Sequence, residues 1–230
     1  MNTDGELIPF AEGVWTATIP AKILGMTLTV SMTVLRLKND ELLVYSPVRM
    51  SEQCRETIQT LGTVTHIYSP NLFHHLYVAE WLEAYPTAKF HAPKNLAKKR
   101  PDLQIHKTHE EGAEPSWDGI VDVFPIRGFR LEESVLLYRP TGTLIVADLV
   151  HNVGQPKGAW TVFYTKMMGF YDRVAMSRMI RWLSFSDKKA VRQSIDSILQ
   201  QPIKGLIVGH GLPLESGGKE AIQEAFSWLK

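Results

Sequence analysis

Cysteine is nearly absent: Cys54 is the only one in 230 residues. That excludes an internal disulfide and any cysteine-cluster metal site, and it fits a reducing compartment. An excess of charge is missing too. Lys+Arg 25 against Asp+Glu 24 leave +1 at neutral pH, so no strong field favours nucleic acid or an anionic membrane surface. No apolar run approaches the roughly 18 residues of a membrane span. The start, Met1-Asn2-Thr3-Asp4-Gly5-Glu6, is polar and acidic where a secretory signal is basic and then apolar. A cytoplasmic protein without nucleic-acid or membrane partners is expected. Two nucleophile and phosphate motifs are also lacking. There is no Gly-x-Ser-x-Gly elbow, and in Ser216-Gly217-Gly218-Lys219 the lysine is followed by Glu220, where a P-loop has Ser or Thr for Mg²⁺.

What remains is globular composition, 44% hydrophobic and 21% charged, which argues against disorder. A chain of this length buries about three quarters of its unfolded surface, so it folds without disulfides or structural metal. No repeat and no low-complexity linker interrupts it, and a single domain over 1–230 is expected.

The first half reads as strands. Val14 to Ile19 and Met26 to Leu37 alternate with period two and are rich in β-branched residues. Asn39-Asp40 supplies a turn before the short apolar strand Leu42 to Tyr45. Ser51 starts a helix that carries Ile58 and Leu61 inward and stops at Gly62, and Val64 to Tyr68 is a strand. Ser69-Pro70-Asn71 predicts a second helix, with Ser69 as N-cap and Leu72, His75, Val78, Ala79 and Leu82 on one face. Lys89 to Ala92, Ile120 to Ile126, Val135 to Tyr138, Thr143 to Ala147 and Gly205 to Val208 are further strands. Helices are expected at about 95–99, 173–184, 187–200 and from Gly218 onward. The aromatic segment 152–171 reads as a long loop, a length that is usually functional. Strands in succession, then strands alternating with helices, predict an α/β fold with a mixed sheet or two sheets.

Histidine is the informative residue for chemistry. Three predicted strands run into a His or Asp: the first reaches His74-His75, the second Asp148 with His151 three residues on, and the third Gly209-His210-Gly211. Ligand sites in open α/β sheets gather beyond strand carboxyl ends, so these residues can converge. Imidazole and carboxylate donors suit a borderline divalent metal, Zn²⁺ first and Fe or Mn by the same chemistry. Adjacent His74 and His75 point about 100° apart in regular helix, so both can serve one ion only in or before a first turn. His75 alone would be a satisfied core histidine, His74 a neighbour orienting a ligand, Asp148 a turn cap, and His151 a surface loop residue or a proton shuttle. His66 is expected to be structural; His91, His106 and His109 receive no role. Cys54 is expected to be buried and inert, Glu80, Trp81 and Trp182 to serve packing, and Lys94 to Arg100 to be a solvated basic face.

At these residues the chain resembles the metallo-β-lactamase superfamily over nearly its whole length. Phe10 to Trp15 resembles the opening strand, Thr65 to His75 the strand before the His-x-His-x-Asp-His motif, Thr143 to Asp148 the strand ending in the metal-bridging Asp, and Gly209-His210-Gly211 the closing Gly-His-Gly. Ser69 to His75, Lys99 to Leu103 and Thr143 to Leu149 are similar to a bacterial branch of it that carries a fold assignment without an assigned reaction. The resemblance implies an αββα sandwich of two mixed β-sheets flanked by helices. It also exposes departures. Pro70 and Leu72 fall on the two leading histidines, His74 on the Asp, Phe129 on the intervening histidine, and Ser46 on the Asp that ends the early strand. The first metal site of the family is lost. The second-site set His74, His75, Asp148 and His210 implies at most one mononuclear site, which four tight ligands would leave with little room for water.

The expectation is a metal-dependent hydrolase of a small ester, lactone, thioester or phosphoester, with Asp148 and His151 as catalytic residues and segment 152–171 covering the substrate. The alternative is a non-catalytic module of the same fold that binds a metabolite or a partner protein. Iron with a redox role is a third reading.

Overall fold

The computed structural model describes residues 4–230, so Met1-Asn2-Thr3 of the polar start lie outside the described residues. The elements follow in the order β1 (Ile8–Ala11), β2 (Val14–Ile23), β3 (Met26–Arg36), β4 (Glu41–Tyr45), α1 (Glu52–Leu61), β5 (Thr63–Tyr68), α2 (Val78–Ala84), β6 (Lys89–Ala92), α3 (Leu96–Lys99), β7 (Lys107–Thr108) and β8 (Val121–Pro125). Then come β9 (Ser134–Tyr138), β10 (Thr143–Ile145), α4 (Ala159–Met168), α5 (Arg178–Ser184), α6 (Lys188–Leu199), β11 (Gly205–Ile207) and α7 (Gly218–Ala225). Strands β1 to β7 form one sheet in chain order, antiparallel up to β4 and parallel beyond it. The second sheet has the order β11-β10-β9-β8, with β10 and β11 parallel and the rest antiparallel. Both sheets are mixed, as expected.

Strand alternation builds the layers. In β4, Leu42 and Val44 face the side covered by Cys54 and Ile58 of α1 and Trp81 of α2, while Leu43 and Tyr45 face the second sheet. In β9, Leu136 and Tyr138 meet that inter-sheet core, while Val135 and Leu137 pack under Val191 and Ile195 of α6 and Phe226 just beyond α7. Both faces of these strands are buried, which is why they read as continuous apolar runs. The result is four layers, helix, sheet, sheet, helix. No helix among the described residues is long and apolar enough to cross a membrane.

Local signals hold where the chain closes its own hydrogen bonds. The Ser51 side chain accepts from the Cys54 N–H at 3.1 Å, and α1 ends at Gly62. They fail where tertiary partners win. Residues 70–77 are turns, and the helix begins only at Val78. The Leu72 N–H donates to Leu131 O at 3.1 Å and Pro70 O accepts from the Ser134 N–H at 2.9 Å, so this stretch bonds to the second sheet's approach instead of to itself. Ser69 is no N-cap; its hydroxyl donates to the carbonyls of Asn71 and His74. Half of the segment 152–171 is helix α4, laid on the β2–β3 hairpin by a Trp160 Nε1–H bond to Leu24 O at 3.1 Å. Residues 173–177 stay extended because His151 and Ala175 exchange backbone hydrogen bonds. Trp182 is 67% exposed and serves no core, unlike Trp81, whose Nε1–H donates to Val48 O.

Candidate metal centre

Parallel pairing of β10 and β11 brings their carboxyl ends side by side, so Asp148 and His210 emerge together. Gly209 and Gly211 make this possible. A Cβ on Gly209 would stand 2.7 Å from Ala147 O, and Gly211 has φ +112° with Asn152 O where its Cβ would be. The Gly209 carbonyl also accepts from the Ser31 N–H of β3 at 2.9 Å, tying the second sheet to the first. His74 arrives from the turn after β5. Its Nε2 lies 3.4 Å from Asp148 Oδ2, and His210 Nε2 lies 3.1 Å from Asp148 Oδ1. One donor atom from each residue falls within 4.8 Å of the others, and all three residues are buried.

The supports of this cluster are equally specific. His210 Nδ1 donates to the Thr29 carbonyl at 2.7 Å, which turns Nε2 toward Asp148. Ser46 Oγ lies 2.7 Å from His74 Nδ1, so this buried hydroxyl orients the ring. Behind Asp148 sits Glu133, 1% exposed. Its carboxylate accepts from three consecutive backbone N–H groups, those of Ala147, Asp148 and Leu149, at 2.9, 2.8 and 3.1 Å. Asn71 joins the two acids: its Nδ2 donates to Glu133 Oε2 at 3.0 Å and to Asp148 Oδ2 at 2.9 Å, while its Oδ1 accepts from the Phe73 and His74 N–H groups. Asn71 is therefore the residue that shapes the turn presenting His74.

Charge follows from this wiring. Burial alone would raise the Asp148 carboxyl, but His74 and His210 hold it well below the usual carboxylate range. Burial would lower His210, yet its hydrogen bond to Asp148 and that residue's charge raise it. Glu133 is pushed up to about 7 by burial and then by the Asp148 charge, against the hydrogen bonds it receives. A buried Asp148 carboxylate between two imidazoles, with Glu133 behind it, calls for a cation, a proton on His210 or a metal ion. The donor set fits a metal in kind, two imidazole nitrogens and a carboxylate oxygen, all within 4.8 Å of one another.

His75 is not in the cluster. Its Nδ1 lies 3.2 Å from Arg100 Nη1, a donor that occupies the ring's lone pair. The order expected for the two neighbours is reversed, because the turn directs His74 inward and His75 toward α3. His151 is buried edge-on against His210, with centroids 5.3 Å apart, and burial pushes it down to about 3. It lines a small pocket of about 80 Å³ that Asp148 and His210 also line, and it does not line the large cleft. Phe129 is core, stacked edge-on against Phe185, and Pro70 is buried. Cys54 is fully buried, with its thiol pushed up to about 11, and is inert.

Glu133 and Asn71 were not among the candidates. Glu133 follows Glu132 ahead of an apolar strand and looks like surface charge; only its complete burial singles it out. The cluster lies at a cleft of about 820 Å³ whose walls come from β2, the turn after β5, and α5. No residue of 152–171 lines this cleft, but Tyr164 and Phe170 line a smaller adjoining pocket that Asp148 and His210 also line.

A family model described as a domain of unknown function (DUF4336) matches residues 11–98. No curated protein matches the chain. Solved structures do. A metallo-β-lactamase from Pontibacter korlensis superposes with a TM-score of 0.66 at 14% identity, covering 97% of this chain and 98% of that one. The metallo-β-lactamase FIM-1 from Pseudomonas aeruginosa, in its mono-zinc form, gives 0.64 at 12% identity over 97% and 93%. The metal-soaked flavodiiron core of Flv1 from a Synechocystis species gives 0.68 at 13% identity over 100% of this chain and 62% of that one. The chain has the metallo-β-lactamase fold.

Proposed function

We propose that the protein is a metal-dependent hydrolase with one mononuclear site, acting on a small ester, lactone, thioester or phosphoester. The observation that carries this reading is the buried His74–Asp148–His210 cluster opening on the large cleft. These three residues would hold the ion, Zn²⁺ first and Fe or Mn by the same donors. Bound there, it would polarise the substrate's carbonyl or phosphoryl oxygen and acidify water toward neutrality. With His75 turned away, three protein donors leave a position free, as catalytic sites do. Asp148, fixed by Asn71 and by the strand end that Glu133 clamps, would hold both the ion and the attacking water. Ser46 and Thr29 would hold the two rings in register, and His151 would brace His210 from behind.

The second reading, a non-catalytic module binding a metabolite or a partner protein, is favoured by Pro70, Leu72 and Phe129 at the lost first site. One experiment separates them. Protein purified without chelator should carry about one metal equivalent and turn over at least one class in an ester, lactone, thioester and phosphoester panel. Asp148→Ala and His210→Ala should lose both. Ion at a hundredfold excess over Kd adds about 2.7 kcal/mol, a rise in Tm of roughly 5–10 °C for a chain of this size. Metal content well below one equivalent with no thermal shift on adding Zn²⁺ would overturn the proposal.

A further inference from the structure

Apolar side chains make up most of the cleft away from the His74–Asp148–His210 cluster. Its walls are apolar side chains from three separate parts of the chain: Ile23 and Leu24 at the β2–β3 hairpin, Phe73 and Leu76 in the turn after β5, and Ile180 and Leu183 of α5. Several are left in water. Leu24 is 57% exposed, Phe73 55%, Leu76 72% and Leu183 65%. A single exposed leucine is ordinary, but four large apolar side chains gathered round one cavity mark a surface that binds something apolar. Folding does not need them there, because each sheet already has a closed core. Apart from Asp148, the charged side chains lining the cleft are Lys22 and Lys99, both exposed. Lys99 is held by Leu72 O at 2.7 Å and lies over the Phe73 ring at 4.7 Å, so an ammonium is fixed beside the apolar wall.

Building on the hydrolase reading, we propose that the substrate is an amphiphile, an ester or thioester of a medium- or long-chain acyl group with an anionic head. The chain would lie along the Leu24, Leu76 and Leu183 wall, the head would meet Lys22 and Lys99, and the acyl carbon would reach the cluster. In the reaction, water adds its oxygen to the acyl carbon and the C–O or C–S bond breaks. A water proton ends on the departing alkoxide or thiolate, which gives a free carboxylic acid and an alcohol or thiol. No other reactant is required.

The test has two arms. In the first, kcat/KM of the metal-loaded protein is measured on acyl esters and thioesters of two to twelve carbons. It should rise steeply with length, up to roughly fourfold per methylene, the equivalent of ~0.8 kcal/mol, until the wall is covered. In the second, binding of dodecanoate to wild-type protein held in chelator is followed by displacement of a fluorescent fatty acid. Leu76→Glu and Leu183→Glu, at exposed positions that leave the core intact, should weaken binding at least tenfold. Turnover that is flat with chain length, together with no dodecanoate binding, would overturn this inference while leaving the hydrolase reading standing. Dodecanoate binding that the two variants weaken, without turnover of any ester, would uphold the acyl ligand and remove the hydrolase.

Discussion

Glu133 fixes the strand end that carries Asp148. Its two oxygens receive four N–H donors, three from the backbone at 147–149 and one from Asn71, in a place with almost no solvent. An amide cannot replace it. Glu133→Gln keeps the shape, but whichever way the amide is turned its NH₂ faces two donors, and each buried group left unsatisfied costs ~1–3 kcal/mol. The variant is expected to lose about 2–4 kcal/mol in urea unfolding and to weaken metal affinity roughly 10–100-fold, the usual cost of disturbing a ligand's support. Wild-type stability and affinity in Glu133→Gln would show that the carboxylate does not fix Asp148.

Among the elements, the closing strand shows how much rests on a missing side chain. Gly209 lets the end of β11 lie against the Ala147 backbone, and His210 reaches Asp148 only from that closeness. In Gly209→Ala the new methyl would meet Ala147 O at 2.7 Å and Ala147 Cα at 2.9 Å. The strand ends must part, at ~1–3 kcal/mol for an overpacked contact, and metal affinity should fall at least tenfold by titration while far-UV circular dichroism stays native. The Gly-His-Gly sequence marked a residue that the structure brings beside Asp148. The neighbouring histidines were harder to rank. Ser69-Pro70-Asn71 has the form of a helix start, and in that helix His75 shares a face with Leu72 and Val78; the chain instead spends its N–H and C=O groups on Leu131 and Ser134, and the histidines exchange roles. The segment 152–171 misled in part for a related reason: glycines and aromatics suggested a loop, while packing on the hairpin made its middle, Ala159–Met168, a helix.

At the scale of the molecule, a group of uncharged histidines lies deep in the fold. His66 Nδ1 is 2.9 Å from His91 Nε2, both rings abut Trp117, and Tyr68 stacks on His109. Burial pushes His66 down to about 4, His109 to about 3 and His91, beside other imidazoles, to about 2. Their unfolded value is about 6.5. Below that pH the unfolded chain takes up protons that the native chain refuses, so stability falls as pH drops from about 6.5 to about 4, by up to ~1.4 kcal/mol per pH unit for each group. Urea unfolding between pH 7 and 5 should show this fall as one cooperative transition, with a smaller slope in His91→Gln. A stability independent of pH across that range would contradict it.

What the sequence by itself determined is what depends on neighbours along the chain: the alternation that makes the strands, the Ser51 and Gly62 ends of α1, and the absence of cysteine clusters and P-loops. Resemblance added the sandwich and the set from which the cluster is drawn. Only the tertiary structure decided that His74 enters the site and His75 leaves it, that Glu133 and Asn71 hold Asp148, and that three remote apolar segments share one cleft. The physical reason is common to all of these. A buried donor or acceptor must find a partner, and for a residue in a turn that partner lies tens of residues away, where no local pattern records it.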